Sequence, residues 1–330
     1  MLTHSNIVSN ICQIDAAEHI GRGDPTLGLL PFSHIYGMTV VLFGTLSQGA
    51  KLVTLPKFDP EAFLKCLQMK QIRIAPLVPP LILFLAKHPV VSKFDLTSIQ
   101  SVFSAAACLG AELTDEFLHR HNHGCRVLQG YGLTETSPAI NTDTVGISGS
   151  VGCLVPNTIG KILDVETGLP LGPGQEGEYC MKGPQIMKGY HKNEEATRGM
   201  IDEDGWLHTG DIGHFTEKGV LYISERLKEL IKYKGHQVSP AELENLLLTH
   251  PGVADAAVIG VPDPVAEELP RAYVVRQPGQ QVEEKEIVDF VEGKVSPAKR
   301  LRGGVEFVNE IPKNPSGKIL RRVLRAQLSK

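Results

Sequence analysis

Two predicted strands end in small residues, and strand ends of this kind are where open α/β proteins bind their ligands. Residues 100–103 lead into a serine and three alanines, and residues 126–129 lead into Gly130. Helix N-termini and backbone N–H groups gather at such an edge. Thr134 and Glu135 follow the second strand, and their local alternative is a helix N-cap with an acid in the first turn. The sequence therefore predicts a ligand site here and leaves both interpretations of the Thr-Glu pair open.

Several familiar catalytic and metal sites are absent from the sequence. No G-x-S-x-G elbow occurs, and the segment before Lys318 lacks the first glycine of a G-x-x-x-x-G-K-[ST] phosphate loop. None of the six cysteines forms a C-x-x-C pair, so zinc ribbons and thioredoxin-type motifs are excluded. His119, His121 and His123 alternate near a predicted helix end, which is more typical of an exposed polar tail than of a metal site.

The elements that must position these residues fall into two predicted domains, residues 1–225 and 226–330. The first begins as alternating helices and strands, with a helix at 61–70 and a strand at 51–55. After Gly146 the density of glycine and proline predicts an antiparallel β subdomain with tight turns. In the second domain, Ser239 and Glu242 flank a proline as a capping box, and strands and one helix follow.

Composition limits the classes of partner. The chain has 330 residues, 42% of them apolar, which is enough for one full core and favours two. A formal charge of −4 provides no overall positive field for nucleic acid or anionic lipid. The most apolar stretch, residues 74–86, is too short and too rich in proline to span a bilayer.

Scattered cysteines and the lack of a secretory signal predict a cytoplasmic protein. A peroxisomal location stays open, although the C-terminus is one leucine short of S-K-L.

Six motifs in order make the whole chain resemble the adenylate-forming superfamily, which contains acyl-CoA synthetases, 4-coumarate:CoA ligases, peptide-synthetase adenylation domains and firefly-type luciferases. The motifs are Pro31-Phe32-Ser33-His34-Ile35-Tyr36-Gly37, Ser104-Ala105-Ala106-Ala107-Cys108-Leu109-Gly110, Gly130-Tyr131-Gly132-Leu133-Thr134-Glu135, Gly205-Trp206-Leu207-His208-Thr209-Gly210-Asp211, the hinge run from Arg226 to Gly235, and Asn314-Pro315-Ser316-Gly317-Lys318. The resemblance implies a partial large adenylate-binding domain, α/β with a β-barrel-like subdomain, and a small mobile α+β C-terminal domain. It implies ATP or AMP, Mg²⁺ and coenzyme A as ligands.

The resemblance also implies roles at the nucleotide. Glu135 is expected to bind Mg²⁺ and Thr134 the phosphates. Asp211 is expected to accept hydrogen bonds from both ribose hydroxyls, because the paired oxygens of a carboxylate suit a vicinal diol. Arg226 is expected near the ribose and phosphate. The residues expected to lie against adenine are Ala106, Ala107, Gly130, Tyr131 and Gly132.

The C-terminal motifs imply two half-reactions that share one lid. Lys318 is expected to bridge the acyl carboxylate and the α-phosphate during adenylation, and an exposed lysine in a basic stretch is its ordinary alternative. The hinge is expected at Lys228. Rotation about it would present the face that carries Lys232 and Gln237 for attack of the coenzyme A thiolate on the acyl-adenylate.

The acyl pocket contains mainly small and apolar groups, which predict an aromatic or medium-chain acid. The residues expected to line it are His34, Tyr36, Phe103, Ala105, Pro138 and Ala139. His34 could instead be an ordinary core histidine. Ala105 stands where the family usually has glycine and is expected to narrow the pocket.

The main departure from the family is at the start, because the chain opens just past the position of the phosphate-binding loop that ends in P-K-G. That departure predicts an N-terminally truncated chain that binds adenylate yet does not exchange pyrophosphate. The alternatives to a ligase are therefore a catalytically impaired adenylate-binding fragment and a luciferase-like oxygenase.

Overall fold

The computed structural model describes residues 1–17, 20–314 and 317–328. The chain forms two compact units, Met1–Ile223 and Ser224–Lys330. No helix within the described part of the chain is long and apolar enough to cross a membrane.

The first unit begins with a seven-stranded sheet in the order β2-β1-β3-β4-β5-β6-β7. Its strands are β1 (Pro25–Gly28), β2 (Lys51–Thr54), β3 (Ile74–Leu77), β4 (Ser101–Ser104), β5 (Arg126–Gly132), β6 (Ala139–Thr142) and β7 (Cys153–Leu154). Strands β1 to β5 pair in parallel, whereas β6 and β7 continue antiparallel from β5. The parallel strands β3 and β4 lie inside the core, because helices cover them.

Helices connect the parallel strands, as the sequence pattern predicts. The connecting helices are α2 (Thr45–Ser47), α3 (Pro60–Met69), α4 (Pro79–Lys87) and α5 (Ala111–Arg120), and α1 (His4–Asp15) precedes β1. Helix α3 begins at a cap in which the Asp59 side chain accepts the Ala62 N–H, and it buries Phe63, Leu64 and Leu67 completely. The nine residues Tyr36–Gly44 form a π-helix that the sequence pattern does not predict. Such segments are rare and are frequently found at functional sites.

A five-stranded sheet follows, in the order β12-β11-β10-β8-β9. Its strands are β8 (Ile159–Leu163), β9 (Pro170–Leu171), β10 (Gly177–Lys182), β11 (Leu207–Phe215) and β12 (Leu221–Arg226), with the short helix α6 (Glu194–Arg198) before β11. The strands β8, β9, β10 and β11 pair antiparallel. This sheet is the β subdomain expected after Gly146.

The second unit is a small α+β structure. Its strands are β13 (Ile231–Tyr233), β14 (His236–Val238), β15 (Val253–Asp263), β16 (Glu267–Arg276) and β17 (Val305–Phe307), and its helices are α7 (Pro240–Leu248), α8 (Glu284–Glu292) and α9 (Arg321–Gln327). Ser239 caps α7 as predicted, but the Glu242 carboxylate binds Lys299 Nζ at 2.6 Å. Glu267 stands where the family commonly has glycine, and its φ is +67°.

Candidate active site

A hydrogen bond between Tyr131 and Asp211, which lie 80 positions apart in the chain, connects two of the motifs. Tyr131, on β5, donates its hydroxyl proton to Asp211 Oδ2 at 2.5 Å. Burial, followed by the Asp211 charge, raises the pKa of Tyr131 well above its usual value, so the phenol stays a donor. Asp211 is only 3% exposed. The contact fixes one carboxylate oxygen and with it the orientation of the group.

A bulge in β11 places the Asp211 carboxylate. Cys180 pairs with His208 and Glu178 with Ile212, so Tyr179 alone faces three residues of β11. The Thr209 hydroxyl donates to the Tyr179 carbonyl at 2.6 Å and accepts the Asp211 N–H at 3.1 Å. Bulges are common beside active sites because they re-aim a side chain.

Glu178 completes the bulge and was not anticipated from the sequence. Its Oε1 accepts the Gly210 N–H at 3.2 Å, and Gly210 has φ +67°, which favours glycine. The signal that could have indicated this role is the glutamate two residues before a buried cysteine on the neighbouring strand. That signal requires knowledge of the strand register.

The two glycines of the Gly-Tyr-Gly run are explained by packing. A Cβ on Gly132 would lie 1.9 Å from the Pro138 carbonyl oxygen, and one on Gly130 would lie 2.7 Å from Phe103 Cζ. Side chains at either position would therefore displace the β5–β6 turn or the Phe103 ring. Their predicted contact with adenine stays a prediction.

Glu135 is held by a tyrosine outside the six motifs. Tyr190 donates its hydroxyl proton to Glu135 Oε1 at 2.7 Å, and Met187 donates its N–H to the Glu135 carbonyl at 2.7 Å. Burial, and then the hydrogen bond to Glu135, raise the pKa of Tyr190 to about 12, so it stays protonated. The N-cap interpretation of Thr134 is wrong, because Leu133 holds the cap position of a single 3-10 turn, Thr134–Thr136. Thr134 itself is exposed.

The loop after β4 holds its alanines in an unusual conformation. Ala106 has φ +74°, a left-handed value that costs a residue with a side chain about 1–2 kcal/mol. Ala106 and Ala107 are exposed, and Ala105 is half-buried. Strain of this kind is typical of ligand-binding loops, which agrees with the predicted adenine loop.

The predicted acyl pocket brings Tyr36 and Phe103 together. The Tyr36 hydroxyl donates to the Phe103 carbonyl at 2.8 Å, and the two rings lie 6.4 Å apart at a tilt. His34 Nδ1 accepts the Tyr36 N–H at 3.2 Å, and burial lowers the pKa of His34, so the neutral ring is favoured. His34 is half-buried at the entrance to the π-helix.

Pro138 and Ala139 lie at the turn from β5 into β6, and they are tied to α1. Asn10 is fully buried and makes two hydrogen bonds with Ala139, accepting its N–H at 2.9 Å and donating to its carbonyl at 2.8 Å. Pro138 is buried and Ala139 is half-buried. Asn10 is therefore a further residue that positions this part of the site.

The remaining predicted residues belong to the second unit. Lys318 donates its backbone N–H to Asn314 Oδ1 at 2.9 Å, and Ser316 lies outside the described residues. Helix α9, which follows, is anchored by Arg321, whose Nη2 lies 2.8 and 2.7 Å from the two carboxylate oxygens of Glu244. Glu244 is buried on α7. The segment that carries Lys318 is thus attached to the core of its unit on its C-terminal side.

Arg226 ends β12 and Lys228 follows it in a turn, whereas the second face lies on the β13–β14 hairpin. Arg226 and Lys228 are exposed, and Glu229 beside them binds Arg325 at 2.7 Å. Lys232 and Gln237 are direct partners across the β13–β14 hairpin, and both are exposed. The structure therefore brings Lys232 and Gln237 together, as predicted.

The matches to known families agree with these features. The family model of the AMP-binding enzymes matches residues 1–191, and the model of the AMP-binding enzyme C-terminal domain matches residues 242–318. The chain belongs to the AMP-binding enzyme family. The resemblance and the fold class predicted from the sequence, an α/β part followed by a small α+β domain, are thereby confirmed.

Individual relatives narrow the comparison. The chain is 46% identical over 328 residues to a probable 4-coumarate–CoA ligase 1 of Dictyostelium discoideum, covering 98% of this chain and 60% of the relative. It is 47% identical over 338 residues to a luciferin 4-monooxygenase of Nipponoluciola cruciata, and the match covers 100% of this chain and 61% of that relative. The ATP-bound crystal structure of MatB from Rhodopseudomonas palustris superposes with a TM-score of 0.91 at 31% identity, covering 100% and 65%. The chain spans about three-fifths of the length of the two curated relatives.

Proposed function

We propose that this chain carries the nucleotide site and the C-terminal lid of an ATP-dependent carboxylate:CoA ligase. The observation that carries the proposal is the hydrogen bond from Tyr131 to Asp211, because it unites two motif segments and orients a buried carboxylate. Such a ligase first forms an acyl-adenylate and then an acyl-CoA thioester. Both steps develop negative charge, so they need oriented donors and cations.

At the nucleotide, Asp211 is proposed to accept hydrogen bonds from the two ribose hydroxyls. Tyr131 would stack its ring on adenine while its hydroxyl holds Asp211. The strained loop at Ala106 and Ala107 would form the other side of the adenine site. Arg226, which is exposed, is proposed to bind the ribose or phosphate.

The residues around Glu135 fit a magnesium ion. Mg²⁺ prefers oxygen ligands and is usually bound through one or two carboxylates plus substrate phosphates. Glu135 is half-buried, and Tyr190 holds its Oε1, which directs the carboxylate. When bound, the ion would neutralise charge on the phosphates. Thr134 is exposed beside it and is proposed to donate its hydroxyl proton to a phosphate oxygen.

Lys318 is proposed to act in adenylation and the hinge face in thioester formation. Anchoring of α9 by Arg321 limits the positions of the segment that carries Lys318, which favours a preorganised cation. For the second step, the paired, exposed side chains of Lys232 and Gln237 suit contact with coenzyme A. Lys228 is proposed as the hinge between the two steps.

The acid is proposed to be aromatic or of medium chain length. Tyr36 and Phe103 belong to one apolar cluster with the buried residues Leu30, Val41 and Val78. A neutral His34, which accepts the N–H of Tyr36 from this cluster, adds no fixed charge, and this favours an uncharged acyl chain over an amino acid. The relatives named 4-coumarate–CoA ligase support the aromatic choice.

Two measurements test the proposal with the 330-residue chain. Calorimetry should detect binding of AMP and of a non-hydrolysable 4-coumaroyl-adenylate mimic, with the mimic binding more tightly because it also fills the acyl pocket. When authentic 4-coumaroyl-adenylate and coenzyme A are supplied, chromatography should detect the thioester. Binding of AMP without any thioester would support an adenylate-binding role alone, and absence of AMP binding would refute the proposal.

A monooxygenase activity is the second candidate, because a luciferin 4-monooxygenase is 47% identical over 338 residues. The two functions differ in what reacts with the adenylate: a thiol displaces AMP in the ligase, whereas molecular oxygen oxidises the activated substrate in the monooxygenase. Luciferyl-adenylate supplied in air without coenzyme A should give light only if the monooxygenase assignment is right. Thioester formation from the adenylate and coenzyme A, together with no light emission, would favour the ligase.

The proposed compartment is the cytoplasm, with the peroxisome as the alternative. The physical basis is the scatter of six cysteines without a motif for a disulfide framework. Microscopy of the chain carrying an N-terminal fluorescent tag distinguishes diffuse from punctate, peroxisome-marked signal.

A further inference from the structure

A thiol, an imidazole and a carboxylate converge on one face of the β10–β11 pair. Cys180 on β10 is the direct strand partner of His208 on β11, and Glu178 lies two residues before Cys180. His208 Nδ1 lies 2.9 Å from Glu178 Oε2 and 3.4 Å from Cys180 Sγ. The three potential ligand atoms all lie within 4.8 Å of one another.

The two separations that involve His208 are close to those of a tetrahedral zinc site. Zinc binds nitrogen and oxygen at about 2.0–2.1 Å and sulfur at about 2.3 Å, so tetrahedral ligands lie about 3.3 Å (N to O) and about 3.6 Å (N to S) apart. The observed separations of 2.9 and 3.4 Å need to widen by only a few tenths of an ångström. Sulfur, imidazole and carboxylate ligands together favour zinc over magnesium or calcium.

The groups behind the cluster already hold the ligands as metal sites require. His208 Nε2 lies 3.5 Å from Asp202 Oδ2, which leaves Nδ1 directed at Glu178 and Cys180. A carboxylate on the second ring nitrogen is one of the common outer partners of a histidine that binds zinc. The other oxygen of Glu178, Oε1, is fixed by the Gly210 N–H at 3.2 Å. These two outer contacts leave Glu178 Oε2 and His208 Nδ1 available to bind a metal ion.

Solvent can reach two of the three proposed ligands. The side chains of His208 and Glu178 are 30% and 18% exposed, so an ion can reach them and keep a water molecule. Cys180 is buried beneath them. Three protein ligands and one solvent position form the open type of zinc site.

The alternative is a metal-free network in which His208 contacts Glu178 through one ring nitrogen and Asp202 through the other. That network explains the two His–carboxylate contacts and leaves Cys180 as a weak hydrogen-bond partner, with its sulfur 3.4 Å from the same ring nitrogen, so metal binding itself must be measured.

We propose that Glu178, Cys180 and His208 bind a zinc ion, with water as the fourth ligand. On binding, the Cys180 thiol loses its proton to solvent as the sulfur–zinc bond forms, and no oxidation or reduction takes place. The site lies wholly within the unit Met1–Ile223 and does not depend on the ligase assignment.

The test uses the full 330-residue chain, stripped with a chelator, and cobalt(II) as the spectroscopic probe. A thiolate-to-cobalt charge-transfer band should grow to one equivalent, and added zinc should remove it. Cys180→Ser should abolish the band, whereas the matched control Cys153→Ser, at an exposed thiol, should keep it. Asp202→Asn should weaken zinc binding about 10–100-fold, as loss of an outer partner usually does.

The outcomes that overturn the proposal are equally specific. Absence of the band in the unsubstituted protein refutes it, and a band that persists in Cys180→Ser means adventitious binding at other thiols only. If Cys180→Ser does not fold, as judged by circular dichroism, His208→Gln takes its place. Zinc affinity that is unchanged in His208→Gln would then refute the site.

Discussion

Substitution of Asp211 by asparagine tests the centre of the proposed nucleotide site. The change keeps the shape of the side chain and removes its charge. Asp211 is 3% exposed and receives the Tyr131 hydroxyl at 2.5 Å, so its carboxylate is already desolvated and oriented before a ligand binds. A hydrogen bond to a charged group contributes about 1.5–3 kcal/mol. Because 1.4 kcal/mol is a factor of ten, AMP should bind about 10–100-fold more weakly to Asp211→Asn.

The assay compares AMP with 2′-deoxy-AMP by calorimetry. The unsubstituted protein should bind AMP more tightly, because only AMP offers both hydroxyls to the carboxylate. In Asp211→Asn this preference should shrink. Asp204→Asn is the matched control, since it removes the same charge from an exposed acid in the turn before β11 and should leave both affinities unchanged.

One result would refute the reasoning. If Asp211→Asn weakens AMP and 2′-deoxy-AMP by the same factor, the carboxylate does not bind the ribose. Tyr131→Phe gives a second check, because it removes the donor to Asp211 and leaves the ring. Contacting residues usually show a coupling of about 0.5–3 kcal/mol, so the double substitution should weaken AMP binding by less than the sum of the two single effects.

Three further predictions concern the proposed metal ligand Glu135, the proposed catalytic lysine Lys318 and the β5–β6 turn. Tyr190→Phe removes the donor to Glu135 and should raise the Mg²⁺ concentration needed for MgATP binding about 10–100-fold, with AMP affinity unchanged; an unchanged Mg²⁺ requirement would contradict the role. In a protein with the family's preceding segment, Lys318→Ala should slow adenylation about 100–1000-fold and spare thioester formation from supplied acyl-adenylate, and equal losses in both steps would count against it. Gly132→Ala should lower the free energy of unfolding by about 1–3 kcal/mol in urea titrations, because its Cβ would lie 1.9 Å from a carbonyl oxygen. Gly199→Ala is the control, because its Cβ would lie 3.6 Å from the nearest atom, and it should leave the free energy of unfolding unchanged.

Local sequence signals were sufficient for most of the elements. The Ser239 cap with Pro240 marks the start of α7 in both the sequence and the structure, and the helix predicted at 61–70 is α3, Pro60–Met69. The strand predicted at 126–129 is present as β5, which continues through Gly130 to Gly132. Such signals depend on residues within one turn or one strand of each other, so they can be recognised without knowledge of the tertiary structure. The π-helix Tyr36–Gly44 was missed because an apolar run has no feature that distinguishes it from an α-helix.

The candidate site divides in the same way. The sequence by itself determined which groups are present, including Glu135, Asp211 and Lys318, and it determined the family to which they belong. Only the tertiary structure decided their partners. Tyr190 reaches Glu135 across 55 positions of the chain, and Asp211 is directed by a bulge whose register is set between two strands. The physical reason is that strand register and turn packing depend on the whole sheet, whereas residue type and local spacing are properties of each segment alone.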